Sequence, residues 1–460
     1  MSFDSIFFIS CFLPLLLAVY WLIPGTKAKN WVLLVVGLVF YAFGGLTGIA
    51  LLLAAALVNF LLGLLIQKNI VPKAVMITAV ALDLAFLCAY KYLDFILLEI
   101  FRLPESPISL VAPVGISFFV FKCISYMVDV YRDSSRGTKN FAHFLLYISF
   151  FPQVMAGPIT RFHDFGAQLE SRSFNLDTVA AGLRRFVVGL SKKAILCGTL
   201  GGVVDAVFAL EGAALDARLA WLGAIAYMLQ IYFDFSGYSD MAIGIAQLFG
   251  FTTIENFNYP YIAASVGDFW RRWHIGLSSW FKDYLYIPLG GNRKGQLRAA
   301  LNKAIVFTLC GLWHGSAWTF LLWGAWHGLF SALESMKIID PKAWRSKALA
   351  HVYTLLVVGL GFVMFRAASI PEGFGIIGAM FTGWDLYPES TVALHRILTG
   401  EAVAMIALSI LFTMPIKNWV QEKLGKLSEP ASYAACLVLY VICLAKLASG
   451  GFAPFIYFQF

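Results

Sequence analysis

Long apolar runs separated by short polar turns cover most of this chain. Runs of roughly 15–22 apolar residues, the length a helix needs to cross a bilayer, fall at about 5–23, 31–45, 47–66, 74–97, 111–131, 141–157, 183–209, 218–250, 303–334, 349–367, 400–416 and 431–449. The pattern predicts an all-α, polytopic membrane protein, with some runs dividing into two short helices or a re-entrant segment. Asp4 precedes the first run, while Lys27 and Lys29 follow it. That asymmetry predicts an external N-terminus and a first helix that is kept rather than cleaved. Lys68 and Lys73 fall on the inside again. The parity then breaks, because one apolar run separates the basic stretches 132–139 and 161–193. A segment 141–157 that enters the membrane and returns, helped by Pro152, Gly157 and Pro158, repairs it. No Ser/Gly/Pro linker divides the chain, so residues 1–460 are expected to form a single membrane domain with no separate soluble one.

Composition sharpens this picture. The chain is 60% hydrophobic and 13% charged, against roughly 25% charged in soluble proteins, and its mean hydropathy is +0.78. The net charge of +8 has to be read by position rather than as a nucleic-acid footprint, since no basic, aromatic-interleaved soluble domain is present to bind nucleic acid. The seven cysteines form no CxxC pair and read as small buried hydrophobes. Cys310 is close to His314, but nothing near it in sequence would stabilise a thiolate.

His314 lies in Leu312-Trp313-His314-Gly315-Ser316, inside an apolar run. An ionisable side chain at membrane depth is costly and marks a candidate functional site. An imidazole can accept a hydroxyl proton near neutral pH, and Gly311 and Gly315 would let a substrate approach the backbone. The alternative is a histidine that only hydrogen-bonds between helices. His274 ends the basic, tryptophan-rich string Phe269-Trp270-Arg271-Arg272-Trp273-His274 and is either a second catalytic or orienting group or an interfacial residue. His327 repeats the Trp-His-Gly motif of His314. On a straight helix the offset between them is a rotation of roughly 220°, so the two do not share a face. They are not a metal pair, and no metal is expected; His327 reads as structural.

Residues 265–303 hold seven Lys/Arg and two acids, a net +5. With their tryptophans and tyrosines they suit an interfacial helix on anionic lipid. They equally suit a cationic mouth for a phosphorylated donor, with Arg271, Arg272, Lys282, Arg293 and Lys294 as candidate donor-binding residues. Residues 230–240 carry Asp234, Asp240, Ser236 and Ser239 in apolar surroundings. They are expected to break the helix and satisfy exposed backbone, with lining of a polar path or direct catalysis as alternatives.

The strings Asp268-Phe-Trp-Arg-Arg-Trp-His274, Trp280 to Arg293 (WFKDYLYIPLGGNR) and Gly311-Leu-Trp-His-Gly315 resemble the membrane-bound O-acyltransferase (MBOAT) family, and within it the alginate O-acetyltransferase AlgI branch. Phe233 to Asp240, Glu255 to Asn258 and Phe151 to Pro158 fit the same branch. The resemblance runs from the N-terminus to about residue 370, with the core motifs at about 230–330. It implies a ring of about eleven transmembrane helices, plus re-entrant and interfacial ones, around a central tunnel in the bacterial inner membrane. It also implies acyl transfer from a thioester donor, acetyl-CoA here, with His314 as the essential histidine and His274 at the second polar position. The acceptor would be an exported polysaccharide hydroxyl, and the partner a periplasmic or extracellular SGNH-type acetyltransferase.

The residues agree with that chemistry, because a thioester is already activated. A base for the hydroxyl, stabilisation of an oxyanion and a dry site are what remains to be supplied. Other readings stay open: D-alanyl transfer to teichoic acid, a transporter or flippase without covalent chemistry, and a scaffold. A transporter should show a repeat relating its halves, and none is seen.

Overall fold

A computed structural model describes residues 1–108, 110–450 and 456 of the protein. Among the described residues the secondary structure is helical throughout, with no strand. Six described helices are long and apolar enough to cross a membrane: Leu46–Gln67, Pro72–Lys91, Leu176–Phe208, Ala217–Leu248, Lys347–Arg366 and Ser428–Ala448. The pair Pro388–Ile397 and Gly400–Phe412, bent by 69°, adds a seventh if the two form one span. Several other apolar runs become shorter helices. Residues 141–157 form Phe141–Ser149 and Phe151–Val154, and nine residues at 1.5 Å each reach only ~14 Å of the ~30 Å hydrocarbon core. The predicted run 303–334 is two helices, Gln296–His314 and Trp318–Ser335, not one.

The chain divides into two compact units, one of Met1–Phe186 and Tyr238–Glu255, the other of Val187–Gly237 and Asn256–Phe460. The first is filled by aromatic rings, among them Phe3, Phe8, Phe40, Phe150, Phe151 and Phe165. Several polar groups buried in it bond one another. Lys122 Nζ donates to the Tyr147 carbonyl at 2.9 Å and to Gln153 Oε1 at 3.2 Å, and Thr160 Oγ1 donates to the same Gln153 oxygen at 2.9 Å. Arg172 donates to Asn30 Oδ1 at 2.7 Å and to Tyr20 OH at 2.8 Å. Such bonds offset the cost of placing polar side chains in a low-dielectric interior.

Residues 230–240 do not break. The helix Ala217–Leu248 is continuous through them, and each acid meets a base instead. Asp240 accepts from Arg185 at 2.9 and 3.1 Å, and Arg185 also pairs with Glu255. Asp234 accepts from Lys193 at 2.5 Å and from the Ile456 N–H at 2.8 Å. Lys193 and Asp234 are almost wholly enclosed. A paired, hydrogen-bonded carboxylate can stay in an apolar helix without unwinding it, so Asp234 and Asp240 are ion-pair members of the framework.

The second unit contains the hairpin made by Gln296–His314 and Trp318–Ser335. Its two helices lie antiparallel and nearly backbone to backbone, for a Cβ added to Gly311 would sit 2.3 Å from the Phe320 carbonyl oxygen, and one added to Gly324 2.4 Å from that of Phe307. Small residues allow this approach where larger ones would hold membrane helices apart.

Candidate active site

His314 is the last residue of its helix and Gly315 begins the turn of the hairpin. The helix therefore ends where four carbonyl groups lack intrahelical donors, and that end favours positive charge. His314 is buried, 5% exposed, among aromatic rings. Trp313 lies 5.0 Å from it centroid to centroid, Trp323 5.1 Å at a right angle, and Phe365 5.5 Å. The setting is a dry one.

His274 is 1% exposed and occupies the opposite electrostatic position, just before the helix Ile275–Phe281. Its backbone is left-handed, with φ 45° and ψ 55°, a region that non-glycine residues enter rarely and at a cost. The turn is fastened on both sides, because the Asn258 N–H donates to the Arg272 carbonyl and the Ile275 N–H to the Asn256 carbonyl, each at 2.9 Å. The ring is oriented by Asn256. Gly276 N–H can only donate, and it points at Asn256 Oδ1 at 3.2 Å, so that atom is the amide oxygen. His274 Nδ1, 3.1 Å from the same oxygen, must then carry its proton, and Nε2 holds the lone pair. Nε2 is buried without a hydrogen-bond partner among the described residues. Burial pulls the pKa of His274 down to about 3, holding the ring neutral.

The two histidines meet through Trp313, whose ring is 5.0 Å from that of His314 and 6.2 Å from that of His274. His327 joins the cluster from the hairpin's second helix. Its ring lies 5.1 Å from Trp323, which also packs on His314, and 4.9 Å from Trp270. His314 and His327 do not lie on one straight helix, because the chain folds back between them. Residues 315–317, with a glycine and a serine, were the available sign of that turn. Trp323 and Asn256 were not picked out from sequence. Neither residue type is unusual in an apolar or loop segment, and only the fold sets them beside the histidines.

The candidate donor-binding residues are spread over the same region. Arg271, with its side chain 67% exposed, and Arg272 both bond Asp268, at 2.8 and 3.0 Å, so one acid tempers two cations. Lys282 opens the π-helical turn Lys282–Tyr286 and is exposed. Arg293 and Lys294 are exposed on a turn in which Gly290, Gly291 and Gly295 all have positive φ, and buried Asn302 donates to the Gly291 carbonyl at 3.1 Å. The described residues contain no group of three or more His, Cys, Asp or Glu able to hold a metal ion.

Comparison with known proteins places the chain in a family. The model of the MBOAT, membrane-bound O-acyltransferase family matches residues 114–340. The chain is 37% identical, over the whole of both sequences, to the "Probable alginate O-acetylase AlgI" of Pseudomonas putida. It is 31% identical to the "Peptidoglycan O-acetyltransferase" of Helicobacter pylori, across all of this chain and 97% of the other. The "Teichoic acid D-alanyltransferase" of Bacillus subtilis is 29% identical over 57% of this chain and 70% of its own.

Proposed function

Since the chain belongs to the membrane-bound O-acyltransferase family, we propose that it is a multi-pass O-acetyltransferase that carries an acetyl group from cytoplasmic acetyl-CoA to a hydroxyl of an exported polysaccharide. Alginate or a related exopolymer is the acceptor, the inner membrane the location, and an SGNH-type protein outside it the partner. The observation that carries the chemistry is His314, a buried imidazole at a helix C-terminus. Full-length similarity to alginate and peptidoglycan O-acetylating relatives favours acetyl over D-alanyl transfer, for which the match covers little more than half of this chain.

In the proposed reaction a path through the membrane brings the thioester to His314 from the cytoplasmic side and the acceptor hydroxyl from the other. His314 removes the hydroxyl proton as the oxygen attacks the thioester carbonyl. The C–S bond of the tetrahedral intermediate then breaks, and the proton passes from His314 to the departing thiolate. His314 becomes positive at the helix pole that tolerates it, while the Nε2 lone pair of neutral His274 accepts a hydrogen bond from a neighbouring hydroxyl of the acceptor sugar and so orients it. The oxyanion needs a donor, and Trp323 can supply one. Its Nε1–H is buried without a hydrogen-bond partner among the described residues, and its ring stands against His314. Exposed Lys282, Arg293 and Lys294, with Arg271 and Arg272, support the negatively charged nucleotide end of the donor.

Membranes containing the protein and its partner should transfer radiolabel from acetyl-CoA to polymer. Deleting the gene should remove acetyl groups from the surface polymer by mass spectrometry; unchanged acetylation would refute the proposal. Trp323→Phe keeps an aromatic side chain and deletes the N–H. It should lower kcat on the order of 10²-fold with the donor KM unchanged, as loss of an oxyanion donor does.

A further inference from the structure

Glu334 lies near the end of the hairpin's second helix, remote from the turn that follows His314, yet its carboxylate closes on the backbone of the helix that leads to His274. One carboxylate oxygen accepts the Val266 N–H at 2.7 Å and the other the Gly267 N–H at 2.9 Å. The next open donor, the Asp268 N–H, goes to Ser265 Oγ at 3.0 Å. The first N–H groups of a helix have no partner within it. An ionised carboxylate on two of them makes charge-assisted bonds at the helix's positive end.

The same face of Trp318–Ser335 carries Trp323 and His327 at helical spacing from Glu334. Trp270, in the last turn of the Val266–Arg272 helix, packs on both, at 5.6 and 4.9 Å. That helix is therefore held to the hairpin at two points, by hydrogen bonds at its start and by ring packing near its end. His274 follows it almost at once. With seven residues it is ~10 Å long, so a tilt released at Val266 is carried to the His274 turn.

We infer that Glu334 is a positioning residue that sets His274 against His314 by clamping the Val266–Arg272 helix to the hairpin. The inference rests on the reading of these two histidines as the site. It gives the hairpin a second task. One helix ends in the base, and the other fixes the frame of the residue that works with it.

The test uses the full-length protein in lipid nanodiscs, with acetyl-CoA as donor, an alginate oligosaccharide as hydroxyl acceptor and thiol release as readout. Glu334→Ala should lower kcat on the order of 10²-fold, the scale of an ~1 Å misplacement, with the donor KM little changed. Glu334→Gln keeps one acceptor oxygen and should recover part of the loss; it also serves if the alanine variant does not accumulate. In a His274→Ala background, Glu334→Ala should have no further effect, because its route to the chemistry is already gone. Independent, multiplying losses would overturn the positioning role while leaving the histidine reading intact. Full activity of His274→Ala by itself would instead overturn the assignment of His274, and the inference with it. A fall confined to KM, or equal activity of all variants, would also overturn it.

Discussion

His314→Ala stops acetyl transfer while the protein still accumulates in the membrane. The expected fall in kcat is on the order of 10³-fold or more, the upper part of the range for a general base held against its substrate. Beside it Trp323 and Phe365 pack on each other at 5.2 Å without the imidazole, so the fold should tolerate the small side chain. His314→Gln keeps polarity and approximate volume without a proton-accepting ring nitrogen, and should be as inactive as the alanine variant. Thiol release from acetyl-CoA by purified protein supplied with an alginate oligosaccharide acceptor, with protein level checked by quantitative blot, decides the matter. Either variant working within threefold of the parent would remove the base from the mechanism.

The second large effect is structural. Gly324→Ala places a methyl group 2.4 Å from the Phe307 carbonyl oxygen and 3.0 Å from the Gly311 Cα. Both are backbone atoms, so no side-chain rotation relieves the clash, and the two helices must separate. Overpacking of this kind costs about 3 kcal/mol, and Gly324→Val should cost at least as much. The measurement is the thermal midpoint of the protein in detergent, followed by activity at a temperature where the variant stays folded. A lower midpoint together with reduced turnover is expected, because Trp323 sits beside Gly324 and rides on the same helix as His327. An unchanged midpoint would show that the hairpin is less tightly closed than its glycines indicate. Gly311→Ala meets the Phe320 carbonyl from the other side, and should combine with Gly324→Ala less than additively, since either change alone opens the same interface.

The long helices were readable because a lipid-facing or core helix has to be apolar over a fixed length, and that requirement leaves a mark in any sequence. Leu46–Gln67 and Lys347–Arg366 follow their predicted runs within a few residues. His314 was readable for the converse reason, as an ionisable group among apolar neighbours. Where the expectation failed, pairing was the cause. Asp234 and Asp240 looked like a break because carboxylates alone cannot stay inside an apolar helix. Lys193 and Arg185, which make them tolerable, lie on a different helix, and nothing in the local string announces them. The broken run 303–334 has a related origin. Hydropathy measures apolar length, and it is blind to a three-residue turn that reverses direction within an apolar stretch.

From its residues alone this protein was bound to be an all-helical membrane chain with a histidine inside an apolar run and a basic, aromatic segment before it, because burial and charge act on each segment separately. Which groups meet is another matter. The neutral tautomer of His274 depends on Asn256 and Gly276, the aromatic wall of His314 on the Trp318–Ser335 and Lys347–Arg366 helices, and the aim of the Val266–Arg272 helix on Glu334. Those relations are set by close packing and directional hydrogen bonds between segments far apart in the chain, and such forces come into being only when the chain has folded.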